Sequence, residues 1–143
     1  METVFVYGTL QKEFGNHRVM QDAGGKFIAK AHTMDRYPLL VDGLPFLIDQ
    51  VGQGEYVIGE LYDVPSEGMR ILDRLEGHPS FYERRVRTFL CDRTEEMTDY
   101  NSRKKTAWVY FLNSHLPPTL DRNFYKSYRQ GRDCRDKRFA HQH

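Results

Sequence analysis

Glu55-Tyr56-Val57-Ile58-Gly59-Glu60-Leu61-Tyr62-Asp63-Val64 runs directly into Pro65-Ser66-Glu67-Gly68-Met69-Arg70-Ile71-Leu72-Asp73-Arg74-Leu75-Glu76-Gly77. The first ten residues set Tyr56, Ile58, Glu60 and Tyr62 against Val57, Gly59, Leu61 and Asp63, the two-residue alternation of a long strand. Gly59 in its middle marks a bulge or a close backbone approach. After Pro65 the period becomes helical, with Met69, Leu72 and Leu75 as an apolar stripe. Ser66 is the expected N-cap, and Glu67 lies near the positive end of the helix dipole. Gly77 offers a left-handed end, and Pro79 forbids continuation. Tyr82 to Cys91 then reads as strand again, so one good helix sits between two long strands.

Upstream, Thr3-Val4-Phe5-Val6-Tyr7 is almost wholly apolar and stops at Gly8, the pattern of a buried central strand. Gly15 to Asp22 has room for one or two helical turns, with Asn16 available as a cap. Lys26 to Thr33 is a strand candidate. Tyr37 to Val41 and Phe46 to Ile48 are short strands joined at Asp42-Gly43. Downstream, Thr106 to Leu112 is a last strand after the polar loop Asp92 to Lys105. The expected fold class is α+β: a small mixed β-barrel with flanking helices, since closure removes strand edges.

The chain has 143 residues, the size of one domain, and a formal net charge of +1. That balance gives no global reason to expect nucleic acid or an anionic membrane as partner. No 18-residue apolar run exists, and Met1-Glu2-Thr3 lacks the basic and apolar regions of a signal peptide. Cys91 and Cys134 are distant from each other and outside any Cys-x-x-Cys, so a cytoplasmic, reducing compartment is expected. The chain divides into a body at 1–116 and a basic tail at 117–143. Between Asp121 and Arg138 the tail holds Arg122, Lys126, Arg129, Arg132, Arg135, Lys137 and Arg138, with Tyr125, Tyr128 and Phe139 interleaved. It reads as an arm packed over the body by its aromatics or as a disordered end, with an arm for RNA or a lipid surface as the rival reading.

Several chemistries lack their motifs. Gly52-Gln53-Gly54 begins like a dinucleotide fingerprint, but Val57 stands at the third glycine and no helix follows. No Walker loop, nucleophile elbow or His-Glu-x-x-His occurs. His17, His32, His78 and His115 have no ligand spacing, and His141 and His143 end the chain. No metal or cofactor is expected. Two places remain. At Tyr7-Gly8-Thr9-Leu10 a chain turning sharply off a buried strand can aim successive backbone N–H groups at an oxyanion or carboxylate; an ordinary Gly-Thr turn is the plainer alternative. Glu76, at 100° per residue, falls within about 20° of Met69 and 40° of Leu72, so it shares the apolar stripe and not the face of Arg70 and Arg74. It also stands in the last helical turn, where a negative charge opposes the dipole. A carboxylate placed against these preferences is a functional candidate. A frayed helix end, or pairing with Arg84 or Arg85, explains it equally well.

Val4-Phe5-Val6-Tyr7-Gly8-Thr9-Leu10, Asn16-His17-Arg18, Tyr37-Pro38-Leu39, Gly59-Glu60-Leu61-Tyr62, Leu72-Asp73-Arg74-Leu75-Glu76-Gly77 and Tyr82-x-Arg84 follow one another in order. In this the chain resembles the γ-glutamyl cyclotransferase superfamily, and most closely the γ-glutamylamine cyclotransferases, from about Val4 to Leu112. The resemblance implies a small β-barrel with flanking helices, a loop at Tyr7, Gly8, Thr9 and Leu10 that holds the glutamyl moiety, and Glu76 as the catalytic glutamate. It implies release of an amine from a γ-glutamylamine, such as γ-glutamyl-ε-lysine, with formation of 5-oxoproline. It implies no metal, nucleotide or covalent nucleophile, because the substrate carries its own nucleophile and electrophile. The segments Gln11 to Gly15 and Gly77 to Phe81 are individual to this chain and leave the departing amine open. Action on γ-glutamyl amino acids or glutathione, or a non-catalytic ligand-binding role, are the rival readings.

Overall fold

The computed structural model of the chain describes residues 1–114 and 123–133. Five strands close into a barrel in the order β1-β5-β2-β6-β7: β1 (Glu2–Val6), β5 (Glu55–Val64), β2 (Lys26–Tyr37), β6 (Tyr82–Cys91) and β7 (Lys104–Leu112). All pairs are antiparallel except the closing one, where Val4 lies opposite Trp108 and Phe5 opposite Val109 in parallel. Strands β3 (Leu39–Asp42) and β4 (Leu44–Leu47) form a separate hairpin turning at Gly43. Helix α1 (His17–Asp22) follows the loop after β1, α2 (Ser66–Glu76) follows β5, and α3 (Tyr100–Arg103) precedes β7. The α+β barrel with flanking helices expected from the sequence is the architecture found.

Alternation along β1 explains its composition. Phe5 and Tyr7 point into the barrel, where Phe5 stacks on Phe89 at 4.2 Å between ring centres. Val4 and Val6 point outward into a second apolar cluster built with Met20 of α1 and Met69 and Leu72 of α2. Both faces are therefore covered, which is why the run carries almost no polar residue. The same division recurs on β7, with Val109 and Phe111 inside and Tyr110 outside. At Gly59 an added Cβ would strike the Val6 carbonyl and come within 2.6 Å of Phe5 Cζ, so the close approach is the reason for this glycine.

Some local expectations change. Strand β2 runs four residues past Thr33 to Tyr37, with register irregularities on either side of Ala29 to His32. Pro65, not Ser66, takes the N-cap position of α2, and no side chain caps it. Asn16 caps nothing by its side chain, which instead donates to Thr9 Oγ1 at 2.9 Å. The loop from Asp92 contains α3, capped by the Asp99 carboxylate accepting the Ser102 N–H at 2.7 Å. Gly77 ends α2 in the left-handed conformation, φ 65°, as its position implied. No helix of the described residues is long and apolar enough to cross a membrane.

Residues 123–133 lie on the barrel, with a short helix at 128–133. Tyr125 and Tyr128 are buried in the barrel's own apolar cluster. The backbone joins in: Tyr125 N–H donates to Leu39 C=O at 3.1 Å, and Ile58 N–H to Lys126 C=O at 2.8 Å. Tyr128 also donates to Gly43 C=O and meets the Phe14 ring edge-on at 5.0 Å. The expectations placed on His115, Arg122, Cys134, Arg135, Lys137, Arg138, Phe139, His141 and His143 lie outside the described residues. Tyr128→Ala, which opens a cavity against this cluster, is expected to cost about 3 kcal/mol, read from the urea unfolding midpoint against the parent.

Candidate functional site

Strand β1 delivers Tyr7, Gly8, Thr9 and Leu10 to the mouth of a cavity of about 180 Å³ that Glu76 also lines. The two places that the sequence singled out thus meet. The loop's shape follows from the carbonyls of Gly8, Thr9 and Leu10, which are engaged on the protein side. Gly8 C=O accepts from Gln11 N–H at 3.2 Å and Gln11 Nε2 at 3.1 Å. Thr9 C=O accepts from Asn16 N–H at 3.0 Å, and Leu10 C=O from His17 Nδ1 at 3.0 Å. The N–H groups of Gly8, Thr9 and Leu10 find no acceptor among the described residues. A loop with its acceptors used and its donors free is a ready receptor for a carboxylate or an oxyanion. Gly8 is needed where it stands, because a Cβ there would lie 2.6 Å from Pro45 Cγ on the β3–β4 hairpin.

Helix α2 carries Glu76 at its last turn, and Asp73 three residues earlier fixes that turn. Asp73 Oδ1 accepts from Arg84 Nε of β6 at 2.8 Å and from Tyr110 Oη of β7 at 2.7 Å. The Arg84 guanidinium also lies over the Trp108 ring, 4.3 Å from its centre. The end of α2 is therefore tied to two barrel strands, and Glu76 is aimed into the cavity.

Glu76 itself has no hydrogen bond or ion pair with any described residue. Arg84 is taken by Asp73, and Arg85 by Asp49 at 2.6 Å and Glu83 at 3.3 Å. Pairing with either arginine, open in the sequence, is not what the structure has. Glu76 is the only charged side chain among the described residues that line the cavity. Burial pushes its carboxyl up to about 7. Tyr7, Tyr82 and Tyr110 stand around it, each held protonated chiefly by burial, with the Glu76 charge adding to the effect. Tyr82 donates to Pro45 C=O and Tyr7 to Tyr110 C=O, so these phenols tie the cavity's walls to the backbone of β4 and β7.

The sequence reading missed Asn16, Leu44, Pro45, Phe81, Tyr82 and Tyr110 as cavity-lining residues. Asn16 and Tyr82, the start of the Tyr-x-Arg motif, were visible in the ordered motifs, but nothing in their spacing assigns them to this cavity. Leu75, expected in the buried stripe, stands 42% exposed at the cavity mouth. Among the described residues no three His, Cys, Asp or Glu side chains gather as metal ligands.

A family model described as gamma-glutamyl cyclotransferase, AIG2-like, matches residues 4–130. The chain belongs to that family. The match covers the Tyr7 to Leu10 loop and Glu76, and reaches past Leu112 into the packed segment at 123–133. A protein of Methanocaldococcus jannaschii named a putative gamma-glutamylcyclotransferase is 33% identical, over 90% of this chain and 99% of its own length. The gamma-glutamylaminecyclotransferase of Rattus norvegicus is 39% identical, over 90% of this chain and 89% of its own. The crystal structure of an AIG2-like protein of Mus musculus superposes with a TM-score of 0.79 at 30% identity, covering 90% and 88% of the two chains. The expectation of a cyclotransferase-type enzyme is met at the level of the family.

The raised carboxyl has a consequence for stability. Below about pH 4.5 Glu76 is protonated whether the chain is folded or unfolded, and contributes nothing. From there to about pH 7 the unfolded chain releases its proton first, so stability falls as pH rises. Above that the cost stays in full, up to roughly 3 kcal/mol at about 1.4 kcal/mol per pH unit. Glu76→Gln removes the charge and keeps the shape. It is expected to melt higher than the parent at pH 8 and to lose that advantage near pH 4.5, as thermal melts across this range will show.

Proposed function

We propose that the protein is a γ-glutamylamine cyclotransferase that closes the γ-glutamyl group of its substrate to 5-oxoproline and frees the amine. The observation that carries this reading is Glu76: a carboxylate without a cationic partner, lining an apolar cavity beside a loop of unused N–H donors. In this reading the N–H groups of Gly8, Thr9 and Leu10, on the loop that begins at Tyr7, receive the glutamyl carboxylate or steady the oxyanion of the tetrahedral intermediate. Glu76 accepts a proton from the substrate's α-ammonium. The freed α-amine attacks the γ-carbonyl carbon, forming the ring C–N bond. The bond to the departing nitrogen then breaks as Glu76 returns the proton to it; the ring nitrogen sheds its second proton in the same passage, and the amine carries that proton away as its ammonium, so the carboxylate is regenerated with each turnover.

The raised carboxyl suits this task. An ordinary glutamate near ~4.3 facing an α-amino group near ~8 leaves an uphill transfer of roughly 5 kcal/mol. A carboxyl at about 7 removes most of that gap. Holding amine and carbonyl of one molecule face to face supplies the remaining advantage, since the reaction is intramolecular.

The test is incubation with γ-glutamyl-ε-lysine, other γ-glutamylamines, γ-glutamyl amino acids and glutathione, with 5-oxoproline measured. Turnover of a γ-glutamylamine is expected, and its absence from every substrate would sink the enzymatic reading. Glu76→Gln should lose about 10²–10⁴-fold in turnover. The parent's kcat/KM should rise with pH through about 7 as Glu76 ionises. A flat profile across that range would remove Glu76 from the proton transfer.

A further inference from the structure

The Gly59-Glu60-Leu61-Tyr62 segment of β5 contains a buried acid that the chemistry above does not use. Glu60 is 6% exposed, and no other charged side chain among the described residues is buried as deeply. It stands opposite Val6 in the β1–β5 pair, on the barrel's outer face, and Val6 is two residues short of Gly8. Its Oε1 accepts twice, from the backbone N–H of Lys12 at 3.0 Å and from Tyr62 Oη at 2.8 Å. Burial and this hydrogen bond hold the Tyr62 phenol well above its ordinary range, so it remains a donor at neutral pH. A buried charge is costly unless it is hydrogen-bonded, and its hydrogen bonds are stronger than those of a neutral acceptor. Glu60 is thus steadied by its neighbour on the strand and grips a loop.

The gripped residue lies just past the free donors of Gly8, Thr9 and Leu10. Gln11 closes back on Gly8 C=O, while Asn16 and His17 hold the carbonyls of Thr9 and Leu10. These bonds run between the loop and the residues that follow it, so they set its shape more than its seat on the barrel. Among the contacts that tie Gln11 to Phe14 to the body, Glu60–Lys12 is the charge-assisted hydrogen bond to backbone. Phe14 meets Tyr128 only through ring edges, and Arg129 pairs with Glu13 where the two side chains are 52% and 62% exposed. An ion pair that open contributes little. Resting on the cyclotransferase reading above, we propose that Glu60 is a positioning residue for that reaction: it anchors Lys12 to the barrel and so holds the N–H groups of Gly8, Thr9 and Leu10 where the glutamyl group meets them. Glu60 touches no substrate and acts through the loop. Its neighbours then have matching tasks: Gly59 lets β5 approach Val6, Leu61 fills the barrel, and Tyr62 steadies the acid.

The experiment measures kcat/KM for the γ-glutamylamine that the parent turns over best. Glu60→Leu keeps the bulk and removes the acceptor; Glu60→Ser removes it while admitting water, which keeps the test open if the leucine variant does not fold. A misplacement of about 1 Å can cost about 100-fold, so a loss of about 10- to 100-fold is expected in each. Glu60→Gln still offers an oxygen to Lys12 and Tyr62 and should recover most of the parental value. In all three the rise of kcat/KM through about pH 7 should keep its midpoint, because burial is what raises the Glu76 carboxyl. Arg129→Ala, which removes only the open ion pair, should behave as the parent. Parental kcat/KM in the leucine and serine variants overturns the clamp while the reaction stands. So does a loss in Glu60→Gln or Arg129→Ala as deep as theirs, or a displaced midpoint. If the parent yields no 5-oxoproline from any γ-glutamyl compound, the cyclotransferase reading fails and takes the clamp with it.

Discussion

Strand β1 is buried on both faces, and the parallel pairing of its Val4 and Phe5 with Trp108 and Val109 of β7 closes the barrel. Inside, Phe5 packs on Phe89 and excludes water from the barrel axis. Outside, Val4 and Val6 provide the floor on which Met20, Met69 and Leu72 settle, bringing α1 and α2 to one side of the barrel. Where β1 ends, the chain is already fixed on both flanks, so the loop after Val6 begins from a rigid base. A site built on such a base keeps its donors in place without reorganising as charge develops.

That constraint also accounts for the electrostatics. Glu76 is not placed by an attraction of its own. Its helix is anchored by Met69 and Leu72 underneath and by Asp73 clamped between Arg84 and Tyr110. The favourable contacts of one turn hold the unfavourable position of the carboxylate four residues past Leu72. Destabilisation at the site is offset by packing and a charge-assisted hydrogen-bond pair next to it, the usual arrangement where function and stability compete. The three surrounding tyrosines contribute apolar bulk while spending their hydroxyls on backbone carbonyls or on Asp73.

The segment at 123–133 packs on the body through its aromatics, one of the alternatives its sequence left open. Its two arginines and one lysine favour solvent, and Lys126 and Arg129 are exposed, while Tyr125 and Tyr128 belong to the central apolar cluster. A few aromatic anchors outweigh several solvated charges, since the charges lose little by remaining in water while each ring removes a large area from it.

Much was legible in the chain itself. The bounds of β5 and β6, the end of α2 at Gly77, and the placing of Glu76 on the buried side all follow from periodicity and backbone chemistry, which are local. The two candidate places, Tyr7 to Leu10 and Glu76, were each visible as oddities against local rules, and the ordered motifs tied them to a family. What local rules do not carry is which distant residues meet. Arg84 or Arg85 could equally have neutralised Glu76; the register of β6 against β7 and the reach to Asp73 and Asp49 decided otherwise. Leu75 satisfied the helical stripe but was left at the cavity mouth, because the stripe is wider than the surface it packs on. Leu44 and Phe81 carry no signal in sequence as site residues, since only barrel closure brings a hairpin turn, a helix end and a strand's approach to one opening. Sequence determined the strands, the helix and the unfavourable carboxylate. Tertiary packing alone decided that this carboxylate is buried, and without a partner among the described residues; the burial is what raises it to about 7.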